Sequence, residues 1–383
     1  MLQAMFNKVL QQIRSLNRKR ICLRKARKLA QVESVKLKVA PERTSYLSNV
    51  KSTLLICRHT GWGDTLFLNG LIQTLLDEGI KVDIAVKSCS LNRYGAITLI
   101  GAVYDIDTAL HKDICNKDYD CIVDLDYIAR PQCNTKFIHS CSCLKLTCSN
   151  VYRYLSTFDY YFDFSKFPHI SDRYSYVASS LAGKKLQIKP KVTLSSSHLE
   201  QAQNFLSKIE YLNKPFVYIN TVGRDADRCF SRHQIIAILE TVLAKTDWGI
   251  IIYSPNMKLD ELFQNTSQTQ GRLFHAPNTD FFSIAAIVKQ SRAIISPDTS
   301  IVHLASSFGI PVMAVFCQDD IDYFKKYFVS EVWAPLSKGS LIVDSSRKNL
   351  LFPKTIAISL LGSNLSSETT QFLNSLVMQD PDS

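Results

Sequence analysis

The chain has no run of about 18 uncharged apolar residues, so no membrane-spanning helix is expected within its 383 residues. No small-residue cleavage site follows its basic start, which argues against secretion. Cysteine is not scarce, but the C-x2-C pair used by structural zinc sites is missing. Six of the eleven cysteines (Cys115, Cys121, Cys133, Cys141, Cys143 and Cys148) crowd one stretch beside His139 without that spacing. No metal is therefore expected, and the thiols read as free, small apolar residues of a reducing compartment. No repeat of short period is visible. Charge is modest as well: 21% charged against 46% hydrophobic residues excludes a disordered chain, and the length suits two domains that each bury a core.

Acidic residues are nearly missing from the first 45 positions, which hold twelve Lys or Arg against Glu33 and Glu42. The remainder carries 33 basic and 32 acidic residues, so the formal charge of +11 describes a basic arm on a nearly neutral body. Within the arm Leu2, Met5, Val9, Ile13 and Leu16 recur at helical spacing, while Lys8, Arg14, Arg18, Lys19 and Arg20 take other faces or the following turn. That is the pattern of a helix lying on an anionic surface. A solvated leader is the plainer alternative. The body shows no second basic patch, so nucleic acid is not an expected partner.

From Lys51 onward short β-rich runs alternate with helical periods, which predicts parallel sheets with crossover helices. The first half, residues 50–190, reads as strand 53–57, a glycine turn, helix 64–77, strand 81–86 and strands near 103–106 and 120–124. The aromatic stretch Tyr152 to Phe167 fits either a helix or an irregular cover. A polar linker with Pro190 and a serine triplet spans 184–197. The second half, residues 198–345, reads as helix 198–212, strand 216–221, helix 231–245, strand 249–253, helix 280–290, strand 293–296, helix 299–308 and strand 312–316. Gly309 and Pro311 supply the stop after helix 299–308. Residues 350–383 read as a C-terminal tail or helix, polar after about Ser363, with no functional reading.

Three segments can carry chemistry. The first, Arg58-His59-Thr60-Gly61-Trp62-Gly63-Asp64, follows the first strand, at the carboxyl end where open α/β sheets bind ligands. Gly61 and Gly63 permit a tight turn and close backbone approach, and Asp64 stands at the helix start, as a functional carboxylate or as an ordinary N-cap. It is no dinucleotide fingerprint, since Leu66 falls where the third glycine belongs. The second is Ser296-Pro297-Asp298-Thr299-Ser300-Ile301-Val302-His303, at the corresponding junction of the second half. Helix-start amides with the Thr299 and Ser300 hydroxyls suit an anionic diphosphate, and Asp298 can accept from ribose hydroxyls. His303, one turn in, is a ligand or a packing residue. The third, Gly223 to Arg228, offers Arg224 and Arg228 to phosphate charge or forms an exposed charged loop.

Taken together, these segments resemble glycosyltransferase family 9, the ADP-heptose:lipopolysaccharide heptosyltransferases and their relatives. Arg58 to Asp64 is similar to the family's R-x-x-x-x-G-D opening. Arg224 to Arg228 falls where the family has a basic motif before a hydrophobic helix, and Asp298 to Ala305 is similar to D-T-G-x-x-H-x-A. The likeness runs over about residues 50–320. It implies a GT-B fold, two Rossmann-like domains facing across a cleft, the first for the acceptor and the second for the nucleotide-sugar. It implies an inverting, metal-independent reaction that needs no cofactor beyond the donor, moving heptose from ADP-heptose to the inner core of lipopolysaccharide or lipooligosaccharide. By the same resemblance Asp64 is the general base, Arg224, Arg228, Asp298, Thr299, Ser300 and His303 belong to the donor site, and Arg58, Gly61 and Gly63 line the acceptor side or cleft. The implied location is cytoplasmic, peripheral on the inner face of the membrane, with residues 1–45 against anionic lipid. Three positions depart from the family: Ser300 replaces glycine, Asp227 or Arg228 the central lysine, and Cys317-Gln318-Asp319 a Gly-Pro-Thr turn. Two alternatives follow from them, a different nucleotide-activated hexose as donor and a non-catalytic GT-B-like binding protein.

Overall fold

A computed structural model describes residues 38–39, 47, 50–94, 100–106, 114, 117–126, 138, 141–148, 157–209, 214–224, 226–255, 271–316, 330–344 and 365–377. The expected amphipathic helix of the arm lies outside these residues, as do Cys115, Cys133, His139 and Cys317 to Asp319. Two compact units emerge: one from the chain up to Thr60, Leu71–Phe167 and Arg173–Gln187, the other from Gly61–Gly70, Pro168–Asp172 and Ile188 onward.

The first unit holds a parallel sheet of seven strands: β1 (Lys38–Val39), β2 (Ser52–Cys57), β3 (Lys81–Val86), β4 (Val103–Asp105), β5 (Cys121–Asp124), β6 (Leu144–Thr147) and β7 (Tyr160–Tyr161). Their order is β1-β7-β6-β5-β2-β3-β4. β2 is buried along all but its first residue, as expected of a central strand covered on both faces. Leu54 and Ile56 pack with Ala85, Ile122 and Phe158 in its core. Helix α1 (Trp62–Asp77) follows β2, and α2 (Ile170–Ala182) follows β7. Gly79, at φ +77°, ends α1 in the left-handed conformation that glycine adopts without strain. β6 and β7 were not anticipated, because strands of four and two residues show no period. Within the stretch Tyr152 to Phe167 the described part is β7 and a single 3-10 turn at Phe164–Lys166 rather than a helix.

A polar node ties β3 and β4 to the chain before β5. Asp83 accepts from Lys117 Nζ (2.8 Å), Tyr119 Oη (2.6 Å) and the Ala102 amide (2.7 Å). Burial works to raise this carboxyl, but those hydrogen bonds outweigh it and hold Asp83 below its ordinary value.

The second unit holds a parallel sheet of six strands: β8 (Phe216–Asn220), β9 (Gly249–Tyr253), β10 (Leu273–His275), β11 (Ala293–Pro297), β12 (Val312–Phe316) and β13 (Leu341–Asp344). The order β10-β9-β8-β11-β12-β13 puts the reversal of winding between β8 and β11, the position at which open α/β sheets bind ligands outside the strand ends. Among the described residues its helices are α3 (Ser196–Leu206), α4 (Arg232–Lys245), α5 (Phe281–Val288), α6 (Ser300–Phe308), α7 (Ser330–Trp333) and α8 (Ser366–Val377). Local chemistry fixes their starts. Ser195 with His198 and Ser231 with Gln234 form capping boxes, and the Asp280 side chain caps α5. Gly309, at φ +73°, ends α6 as its sequence predicts. The tail without a functional reading contains α8, whose Phe372, Leu373 and Leu376 join the core under β8, β9 and β11.

Candidate active site

β11 stays in register until Asp298, whose amide donates to Val315 O at 2.9 Å; the chain then turns at Thr299 into α6. The Thr299 hydroxyl caps that helix by accepting from the Ile301 amide at 3.2 Å. From the end of β8, buried Asn220 donates through Nδ2 to Ser296 Oγ and Thr299 Oγ1, both at 3.2 Å, and to Val222 O at 3.0 Å. The two strands flanking the reversal of winding are thereby stitched at their carboxyl ends. Of the two hydroxyls expected to cradle an anion, Thr299 is committed to the cap, and Ser300 stands half-buried at the first helical position. The helix start remains the positive end of a dipole.

The loop after β8 closes on itself, with the Phe230 amide donating to Thr221 O at 3.0 Å. Gly223 is required there for space: a Cβ would stand 2.7 Å from Arg228 O. Arg228 thus reaches the junction, its Nη1 3.1 Å from Asp298 Oδ2, whereas Arg224 is exposed. Burial pushes the Asp298 carboxyl above its ordinary value, and the Arg228 guanidinium works against that. Of the two arginines, only Arg228 meets the helix-start residues.

The first turns of α1 belong to this same unit. The helix begins at Trp62, so Asp64 lies inside its first turn rather than at the N-cap. A carboxylate there is favoured by the amide dipoles. Gly61 O accepts from the Thr65 amide and hydroxyl, both at 3.1 Å. The glycines serve close approach: a Cβ on Gly61 would come within 2.6 Å of Asp64 Oδ2, and one on Gly63 within 2.6 Å of His303 Cδ2. Asp64 therefore immediately follows the residue that touches α6. His303 is buried, edge-on to Phe67 at 5.2 Å and tilted against Trp333 at 5.4 Å, and its Nδ1 has no hydrogen-bond partner. Burial, with His169 adding to it, pushes its pKa down to about 3, so the ring is neutral at pH 7. His169 is fixed in turn: Nδ1 accepts from the Ser171 amide at 3.0 Å, which leaves Nε2 to donate to Ala334 O at 3.0 Å.

Arg58 belongs to the first unit. It follows β2 in the first unit, where winding reverses between β2 and β5. Its buried Nη1 donates to Asp124 Oδ1 at 2.9 Å and to Asp126 Oδ2 at 2.7 Å. Burial pushes Asp124 up to about 6, with Arg58 opposing and Asp126 reinforcing the shift. The guanidinium is engaged by the unit's own carboxylates.

Sequence reasoning missed Asn220, although a polar residue closing the apolar strand FVYIN was a visible signal. It also assigned nothing to Trp62, which stacks on Phe281. Among the described residues, no cluster of three or more His, Cys, Asp or Glu has a metal-holding arrangement, and no helix is long and apolar enough to cross a membrane.

Comparison with known proteins bears on this geometry. A search of curated proteins returned no match. Among solved structures, a glycosyl transferase family 9 protein from Veillonella parvula superimposes with a TM-score of 0.66 at 11% identity, over 86% of this chain and 98% of that one. The ADP-heptose lps heptosyltransferase II of E. coli gives 0.60 at 14% identity, over 86% and 99%. The E. coli heptosyltransferase WaaC with ADP gives 0.59 at 13% identity, over 85% and 99%. At such identities the likeness establishes the fold, which is GT-B. The sequence profile of glycosyltransferase family 9 (heptosyltransferase) matches residues 108–348, which include the Arg228 loop and the β11–α6 junction but begin after Asp64. Because that match spans well over half of the chain, the protein belongs to glycosyltransferase family 9, the heptosyltransferase family, and is a glycosyltransferase.

Proposed function

We propose that the chain transfers heptose from ADP-heptose to the inner core of lipopolysaccharide or lipooligosaccharide, with inversion and without a metal. The observation that carries this reading is the packing of Gly63 on His303, which sets the Asp64 turn on the helix that opens with Asp298-Thr299-Ser300. Asp64 takes the proton of the acceptor hydroxyl as its oxygen bonds to the anomeric carbon, and the bond from that carbon to the diphosphate breaks. Charge on the departing ADP is met by the α6 amides, the Ser300 hydroxyl and Arg228, which can exchange Asp298 for phosphate. Neutral His303 packs the turn without adding charge. The likeness to an ADP-heptose lps heptosyltransferase II and to the heptosyltransferase WaaC with ADP supports this choice of donor.

The same proposal places the enzyme on the inner face of the cytoplasmic membrane, held by residues 1–45, whose twelve basic residues suit anionic lipid. Thermal shift with ADP-heptose, UDP-sugars and GDP-sugars tests the donor. Ligand at a hundred times its Kd adds about 2.7 kcal/mol of stability. Stabilisation by ADP-heptose alone supports the reading, and stabilisation by a UDP- or GDP-sugar alone overturns it.

A further inference from the structure

The turn that carries Asp64 is intrinsically loose. Glycines stand at 61 and 63, and the first turn of any helix lacks most of its internal hydrogen bonds. What holds it on one side is a run of rings. Trp62 lies parallel to Phe281 (centroids 4.0 Å, 14°) and edge-on to Phe282 (5.4 Å, 88°), and Phe282 stacks on His198 (5.2 Å, 18°). This platform is itself fixed. The Asp280 carboxylate accepts from the amides of Phe282 (2.8 Å) and Ser283 (3.1 Å), and Ser283 Oγ lies 2.9 Å from Gln201 Oε1 on α3.

We propose that Trp62 is the positioning residue for Asp64, clamping the first turn of α1 to the start of α5 through its stack on Phe281. The proposal rests on the reading of Asp64 as the base. On a helix, residues two apart point to roughly opposite sides, at about 100° per residue. A ring held against α5 therefore fixes the rotation of the first turn, and with it the direction of the Asp64 carboxylate. Gly63, between the two, brings the backbone onto α6. Trp62 is bracketed by the very glycines that make a clamp necessary.

The test uses the full chain with ADP-heptose and a heptose-free lipopolysaccharide core, alongside hydrogen exchange at the amides of residues 63–66. Trp62→Ala is expected to lower kcat about ten- to a hundredfold with the donor KM nearly unchanged, the scale of a misplacement of about 1 Å. It should speed exchange in the first turn while α5 keeps its protection, and Trp62→Phe should recover most of both. In an Asp64→Asn background, Trp62→Ala should lower turnover no further. Should Trp62→Ala not fold, Phe281→Leu removes the partner ring and should reproduce the kcat loss and the faster exchange. An unchanged kcat and unchanged exchange, a loss confined to KM, or an equal loss in the Asp64→Asn background overturns the proposal. If Asp64→Asn keeps wild-type turnover, it is the base assignment that has failed, while the exchange result still decides whether the clamp exists.

Discussion

His303 offers a quantitative check on the packing beneath the site. Burial, reinforced by His169, moves its pKa down to about 3, against an ordinary value of about 6.5. The folded chain therefore keeps the ring neutral where the unfolded chain protonates it, and stability falls as pH drops below about 6.5. Between pH 7 and pH 5 that difference amounts to about 2 kcal/mol, from about 1.4 kcal/mol per pH unit over the part of the window below 6.5. His303→Met keeps comparable bulk against Phe67 and Trp333 and removes the titration. The assay is urea denaturation at pH 7 and pH 5 followed by tryptophan fluorescence. All three tryptophans (Trp62, Trp248 and Trp333) lie in the second unit, so the signal reports the unit that holds His303. The wild type should lose about 2 kcal/mol more than His303→Met on acidification. Equal losses in the two proteins would refute the account of a desolvated, neutral ring.

Two further outcomes follow from other contacts. Arg228→Ala should weaken ADP-heptose binding about tenfold or more, by removing a charged hydrogen bond worth about 1.5–3 kcal/mol, whereas Arg224→Ala should change it little because that side chain is exposed; titration calorimetry separates the two, and equal effects contradict the assignment. In the first unit, Asp83→Asn should cost about 2 kcal/mol at pH 7, since Asp83 accepts from Lys117, Tyr119 and Ala102. Because its folded pKa is depressed, that contribution is present above about pH 4 and lost as pH falls further, so a gap between wild type and variant that persists undiminished at pH 2 contradicts the account.

The sequence was most readable where local rules suffice. Asp298-Thr299-Ser300 after an apolar run announces a strand, a cap and a helix, and the structure has each of them at that place. Gly309 before Pro311 likewise marks the end of α6. The contacts that turn these pieces into a site are long-range and leave no periodic trace. Nothing near Trp62 predicts a stack on a ring more than 200 positions away, and nothing near Gly63 predicts that His303 will press on it. Arg58, assigned by resemblance to the acceptor side or cleft, has partners in Asp124 and Asp126 that arrive with another strand and leave no local signal. The tail or helix expected over 350–383 contains α8, and what its local sequence did not show is that three apolar residues on one face bind it to the second core.

The central claim, that Asp64 deprotonates the acceptor while α6 holds an ADP-linked heptose, is tested most directly by one comparison. Wild type and Asp64→Asn are each mixed in single turnover with ADP-heptose and a heptose-free lipopolysaccharide core, and ADP release is timed. The account predicts product from the wild type and a loss of about a hundredfold or more in Asp64→Asn, with ADP-heptose still protecting the variant against heat. Undiminished ADP release from Asp64→Asn would contradict it.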